Sequence, residues 1–240
     1  MSSVNFKFSI KPIKNMNKLL IIAVSFLCIG QASAQKGKWV SLFDGKSTAG
    51  WHTYNKPVNQ PTAWVVQDGA LYLDASSKEG RGDLVTNESF DEFELKFDWK
   101  VAKGYNGGVI FWVQEEPKFG ATFITGPEFQ VIDNVGYPHP LKPVQMAASL
   151  YDLIPCPTEY IKPTGEWNTS IIRFKNKKLE FIVNGKKAIS TNVWDEGWNK
   201  IVAASKFGSE CCFAKTSKGK IALQDHGGGT WYKNISIRKL

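Results

Sequence analysis

Phe93-Glu94-Leu95-Lys96-Phe97-Asp98-Trp99-Lys100-Val101 decides the fold. Its apolar residues fall at every second position, with Glu94, Lys96, Asp98 and Lys100 between them. A period of two sends successive side chains to opposite faces of an extended chain, so this stretch reads as a strand with one buried face and one wet face. Upstream, Trp64-Val65-Val66 and Leu71-Tyr72-Leu73 flank Asp68-Gly69, a pair that supplies the positive φ of a tight hairpin turn. Downstream, Gly107-Gly108-Val109-Ile110-Phe111-Trp112-Val113 is a continuous apolar run, suited to a strand buried on both faces. Further strands are expected at 170–174, 178–183, 186–190, 220–224 and 231–237, with Asn184-Gly185 turning the second into the third. No window carries a convincing period of 3.6, and Pro140 and Pro143 limit residues 141–150 to a helical turn. Short strands, Gly-rich turns and no helical connectors define an all-β chain, expected to fold as a jelly-roll β-sandwich.

The N-terminus reads differently. Lys7, Lys11, Lys14 and Lys18 precede an apolar run at 19–30, and Ala32-Ser33-Ala34 forms a small-x-small cleavage site. That order is a secretory signal peptide over residues 1–34, with one β domain over 35–240. Met16, followed at once by Asn17, Lys18 and the apolar run, is the expected start. The run is shorter than the roughly 20 residues that span a bilayer, so no stable membrane insertion is expected after cleavage. The alternatives are a retained anchor, or a lipoprotein signal through Cys28, where Leu27 replaces the small residue such a signal wants. The protein is therefore expected to be periplasmic or secreted. Those four lysines account for half of the formal net charge of +8. What is left is too mild for a nucleic-acid footprint, and no nucleic-acid partner is expected. Of four cysteines, Cys156, Cys211 and Cys212 lie outside the signal. Two readings stay open: one bridge from Cys156 to Cys211 or Cys212, or three thiols. Neighbouring cysteines are poorly spaced to bond to each other.

No G-x-S-x-G, H-E-x-x-H, Walker loop or C-x-x-C occurs. Polar chemistry gathers instead in Gly126-Pro127-Glu128-Phe129-Gln130-Val131-Ile132-Asp133-Asn134. Extended, this segment points Glu128 and Gln130 to one face, and Asp133 joins them only if the strand bulges or ends first. Two carboxylates there suit acid/base work on a sugar, or a divalent cation. A merely solvated strand face is the plainer alternative. Gln224-Asp225-His226 precedes three glycines, placing His226 at an accessible turn where it can exchange protons. Asn106, Tyr151, Lys206 and Gln224 are the remaining candidates for sugar contact, and the loop at 114–125 is a candidate cleft wall. Nine tryptophans suit either a β core or a sugar-binding cleft.

These segments in this order resemble the 3-keto-disaccharide hydrolase family. The likeness runs from Ser41-Leu42-Phe43-Asp44-Gly45 and Gly50-Trp51 through the hairpin at 64–71, Asn106-Gly107-Gly108-Val109 and the run at 126–134. It continues through Ser149-Leu150-Tyr151-Asp152, Gly165-Glu166-Trp167-Asn168, Val183-Asn184-Gly185 and Ser205-Lys206-Phe207 to the segment at 219–227. The resemblance implies a sandwich of the concanavalin A-like lectin/glucanase type and action on oxidised glycosides, with a small carbohydrate as partner. Relatives often carry Ser where Gly107 stands, and Arg where Trp112 or Tyr232 stands. A ketone at C3 of a sugar acidifies the hydrogen at C2, so a base can remove it and C1 can expel its leaving group. Glu128 and His226 are the expected acid/base or metal-binding pair, with Asp133 in support. Two rivals remain. A classical glucanase needs E-x-D-x-x-E, whose middle Asp is Gln130 here. A non-catalytic sugar-binding module uses the same fold.

Overall fold

A computed structural model describes residues 37–240. The expected signal peptide at 1–34 lies outside the described residues. The larger sheet runs, in spatial order, β11 (Lys186–Asn192), β10 (Lys178–Val183), β9 (Asn168–Lys175), β6 (Phe93–Val101), β13 (Thr230–Lys239), β4 (Ala70–Leu73) and β3 (Trp64–Gln67). Short β1 (Val40–Ser41) pairs with β13. The smaller sheet runs β2 (Trp51–Thr53), β5 (Leu84–Thr86), β12 (Lys220–Leu223), β7 (Asn106–Val113) and β8 (Glu128–Ile132). Every pairing is antiparallel. This is the expected jelly-roll sandwich.

The two inner faces meet through aromatic rings. Phe129 of the smaller sheet packs at 5.2 Å from Phe97 and from Phe181 and at 6.1 Å from Trp99, all three on the larger sheet. Each such buried ring contributes about 1.5–3 kcal/mol, which is why the alternation in β6 fixes its facing. The hairpin turn behaves as its sequence requires, with φ of 51° at Asp68 and 73° at Gly69. β7 is irregular: Trp112 has φ of 62°, and both Phe111 and Trp112 enter the core. A bulge there lets two successive residues share one face, after which the alternation resumes.

One element was not expected. α1 (Glu196–Ala204) is a helix capped by Asp195, whose carboxylate accepts from the Trp198 N–H at 2.8 Å. Trp198 is buried and Ile201 and Val202 pack half-buried against the core, an i, i+3, i+4 stripe of a single turn, too short to stand out in the sequence. The bridge between Cys156 and Cys211 or Cys212 does not form: all three cysteines are free, and Cys156 is buried.

Candidate active site

Strand pairing builds the site on the face of the smaller sheet that points away from the larger one. Partners across a sheet share a face. One cross-strand row therefore reads His52, Val85, Ala222, Ile110, Glu128, through the registers of β2, β5, β12, β7 and β8. Two residues along, the same alternation gives Asp83, Gln224, Gly108 and Gln130, with Tyr54 extending the row beyond β2. The first row is apolar in its middle, and the second is polar apart from its glycine.

Glu128 crosses from the first row to the second. It does so over Gly108: a β-carbon there would collide with the Glu128 carboxyl. Beyond the gap the Gln224 amide donates to Glu128 Oε2 at 3.5 Å. No cation contacts the carboxyl, although the charge of Lys206 reaches it. Burial dominates, and it pushes the Glu128 carboxyl up to about 8, with Asp83 adding in the same direction. Its surroundings therefore favour the protonated form of Glu128.

Asp83 was not foreseen in the sequence. Its carboxylate accepts from the Asp225 N–H at 2.8 Å and from the Thr122 hydroxyl. Burial also raises its pKa, and it senses the charges of Asp225 and His226. Asp225 in turn is locked by Arg81, at 2.8 and 2.7 Å, and by the Gly82 N–H at 2.9 Å. Burial opposes the Asp225 charge, but these donors hold its carboxyl below the ordinary value. Tyr54, Asp83, Gln224, Asp225, His226 and Phe123 line a cavity of about 420 Å³. The loop at 114–125 forms one wall, as expected. It is tied down at Glu115, which takes the Lys220 ammonium at 2.6 Å and His52 Nε2 at 2.9 Å. His52, buried, is thus a structural residue. On the side of Tyr151, the Lys206 ammonium stands 4.2 Å from that ring and 5.9 Å from Phe123.

Of the expected residues, Gln224 and His226 line this cavity; Glu128 lies behind it, reached through Gln224, and Lys206 packs on Tyr151 beside the lining residue Phe123. Gln130 shares the face of Glu128 but lies beneath residues 145–149; its amide donates to Gln145 O at 3.3 Å and its Oε1 has no partner. Asn106 pairs with Ile132 and stands on the same face, at the far end of β7. Asp133 is a correction. β8 ends at Ile132, and Asp133 turns away from Glu128 to bind the Gly104 N–H at 2.9 Å, the Thr164 hydroxyl at 2.6 Å and the Val135 N–H at 3.1 Å. Burial works against its charge, yet these donors keep its carboxyl below the ordinary value. It fastens loops. Gly107, Trp112 and Tyr232, the departures from the family pattern, lie inside: a β-carbon on Gly107 would meet Tyr232 Oη at 3.0 Å, and Trp112 and Tyr232 are fully buried. Among the described residues, no group of three or more His, Cys, Asp or Glu is placed to hold a metal ion, and no helix is long and apolar enough to cross a membrane.

The comparisons with known proteins give the class of this sandwich, a glycoside-cleaving protein. The chain belongs to the 3-keto-alpha-glucoside-1,2-lyase-like family, whose model matches residues 38–238. A 3-keto-disaccharide hydrolase of Bacteroides thetaiotaomicron is 32% identical over 228 residues, covering 84% of this chain and 78% of that protein. A crystal structure from Parabacteroides distasonis, named as a glycosyl hydrolase, aligns with a TM-score of 0.77 at 32% identity, over 84% of this chain and 94% of that one. The exoplasmic/lumenal domain of VIP36, in its Ca²⁺/Man3GlcNAc-bound form, shares the fold alone, with a TM-score of 0.51 and 9% identity over 87% of this chain and 90% of that one.

Proposed function

We propose that this protein is an exported enzyme, periplasmic or secreted, that cleaves 3-keto glycosides by removing the proton at C2. The observation that carries the reading is Glu128: buried, with no cation in contact among the described residues, and pushed toward the protonated form by burial. A carboxylic acid in that state can donate a proton to a leaving oxygen. The opposite role, taking the C2 proton, falls to His226, which lines a cavity with Asp83 and with Gln224, the residue that donates to Glu128.

In the first half-reaction the base takes H2 and the C2–H electrons form the enolate of the C3 ketone. Those electrons then re-form the carbonyl while C1 expels its oxygen, which leaves with the proton from Glu128. In the second half-reaction water adds at C1 and C2 regains a proton, for a net hydrolysis. Elimination alone is a lyase step and the sum is a hydrolase step, which fits both names borne by the family and its relative. Gln224, Tyr151 and Lys206 are placed to hold the sugar, and the positive charge of Lys206 favours the enolate.

The test is incubation of the protein with a 3-keto disaccharide and with its unoxidised parent, with and without chelator, scored for released monosaccharide. Release from the keto sugar alone is expected. Glu128→Ala and His226→Ala should each lower turnover about a hundredfold or more. Wild-type turnover in both variants would sink the assignment. Saturable binding without product would make the protein a sugar-binding module, and cleavage of unoxidised β-glucan a glucanase.

A further inference from the structure

Cys211 and Cys212 take no part in the cleft. They follow α1, with Cys211 exposed and Cys212 half-buried. Their Sγ atoms stand 2.7 Å apart. Neighbours in an extended chain point to opposite sides, so this contact needs a cause. The chain on their C-terminal side supplies it. Phe213 stacks on Phe207 with ring centroids 4.1 Å apart. Ala214 accepts from Trp194 Nε1 at 2.6 Å and donates its N–H to Thr125 O at 2.8 Å. With Phe213 and Ala214 held, the preceding turn folds both thiols to one side. The Lys118 ammonium lies close enough to sense both sulfurs; at Cys212 its pull is outweighed by the contact with Cys211, which raises that thiol.

We propose that Cys211 and Cys212 form a redox modification site that closes to a vicinal disulfide by exchange with a disulfide oxidant. One thiolate attacks a sulfur of the oxidant, giving a mixed disulfide and releasing one thiol. The neighbouring thiol loses its proton and attacks the protein sulfur of that mixed disulfide, and the second thiol leaves. Two S–H bonds are lost, one S–S bond forms, and the oxidant is reduced to two thiols. Adjacent Cα atoms lie about 3.8 Å apart, below the usual disulfide range of roughly 4.4–6.8 Å. The closed ring is therefore strained and easily reopened, as suits a reversible modification. Cys156 stays outside this chemistry: it is buried, and burial pushes its thiol up to about 12.

The whole protein is treated with oxidised glutathione, quenched in acid, capped with iodoacetamide and digested with trypsin. The tryptic peptide 207–215 carries Cys211 and Cys212 and separates them from Cys156. The expected product is this peptide lighter by two hydrogens, uncapped and free of glutathione, and returned to the doubly capped form by brief mild dithiothreitol before capping. A persisting glutathione adduct, or two capped cysteines after oxidation, overturns the proposal. Of Cys211→Ser and Cys212→Ser, both at solvent-accessible positions, at least one should retain a glutathione adduct because no second thiol resolves it. No adduct in either also overturns it. Mass is the readout, so the outcome does not depend on the sugar chemistry proposed above.

Discussion

The two sheets shield carboxylates from solvent on their outer faces by different means: long cationic side chains cover those of the larger sheet, and the protein body covers the one on the smaller sheet. On the larger sheet Glu94 and Glu180 are each 7% exposed; on the smaller sheet Glu128 is 6% exposed. Glu180 receives the Lys187 ammonium at 2.6 Å, with Lys178 at 3.8 Å and Arg173 at 3.9 Å. Glu94 is gripped by Arg238 and has Arg173 at 3.3 Å. Glu128 has one neutral amide at 3.5 Å. The hydrogen bond from Lys187 holds the Glu180 carboxyl below its ordinary value, while burial drives Glu128 up to about 8. Burial alone does not decide what a carboxylate does. What covers it decides its charge: a cover of ammonium and guanidinium groups keeps Glu180 anionic, whereas the low-dielectric cover of Glu128 favours the protonated form.

Exchange of each carboxylate for its amide breaks the comparison most sharply. Glu128→Gln should lower kcat on a 3-keto glycoside about a hundredfold or more, whereas Glu180→Gln should leave it within about twofold. Equal losses in steady-state assays would erase the distinction between the faces.

Stability against pH should show opposite signs. The folded state raises the Glu128 pKa from 4.5 to about 8. Between these values the folded chain binds a proton that the unfolded chain has lost, so stability falls as pH rises, by at most about 1.4 kcal/mol per unit. Glu180 is shifted down, so its contribution is present above its unfolded pKa and is lost as acid carries pH down through the lower, folded one. Urea melts across pH should show the alkaline loss diminished in Glu128→Gln and the acid loss diminished in Glu180→Gln.

Smaller changes sharpen the picture. Asp83 adds to the upward shift of Glu128 by its charge. Asp83→Asn should move the alkaline limb of the pH–rate profile to lower pH, by about one unit or less. An unmoved limb would remove Asp83 from the site. Glu94→Gln should cost about 1 kcal/mol or less in thermal or urea unfolding, since Arg173 and Arg238 still reach solvent, and should leave the pH–rate profile unchanged.

The fold was largely legible because one sequence pattern, alternation, is set by the same packing that builds the sheets. β6 shows it in full, and Asp68-Gly69 marks its turn without ambiguity. α1 left a fainter trace, since Trp198, Ile201 and Val202 make a stripe of one turn only; its other marks were local, the cap at Asp195 and the pair Glu196 and Lys200. The site was legible only where its residues share a strand. Glu128 and Gln130 declared their common face, but Asp83 meets Glu128 through the lateral order of four strands, β5, β12, β7 and β8, which no local spacing encodes. Asp133 was misjudged because its donors, Gly104 and Thr164, come from distant loops.

Gly108 carries a last consequence. Because Glu128 lies across the hydrogen of that residue, positions 108 and 128 behave as a single volume shared between two neighbouring strands. A mutational path through this pair has a preferred order. Gly108→Ala taken first collides with the Glu128 carboxyl, and Glu128→Asp does not clear the way, because the Asp carboxyl carbon takes the place of a Glu128 Cγ that already stands 2.8 Å from where the methyl group would go. Only a cut back to Glu128→Ala opens the space, so any side chain at 108 has to wait until its neighbour has lost the carboxyl, and the packing of this one pair ties change at the glycine to surrender of the acid.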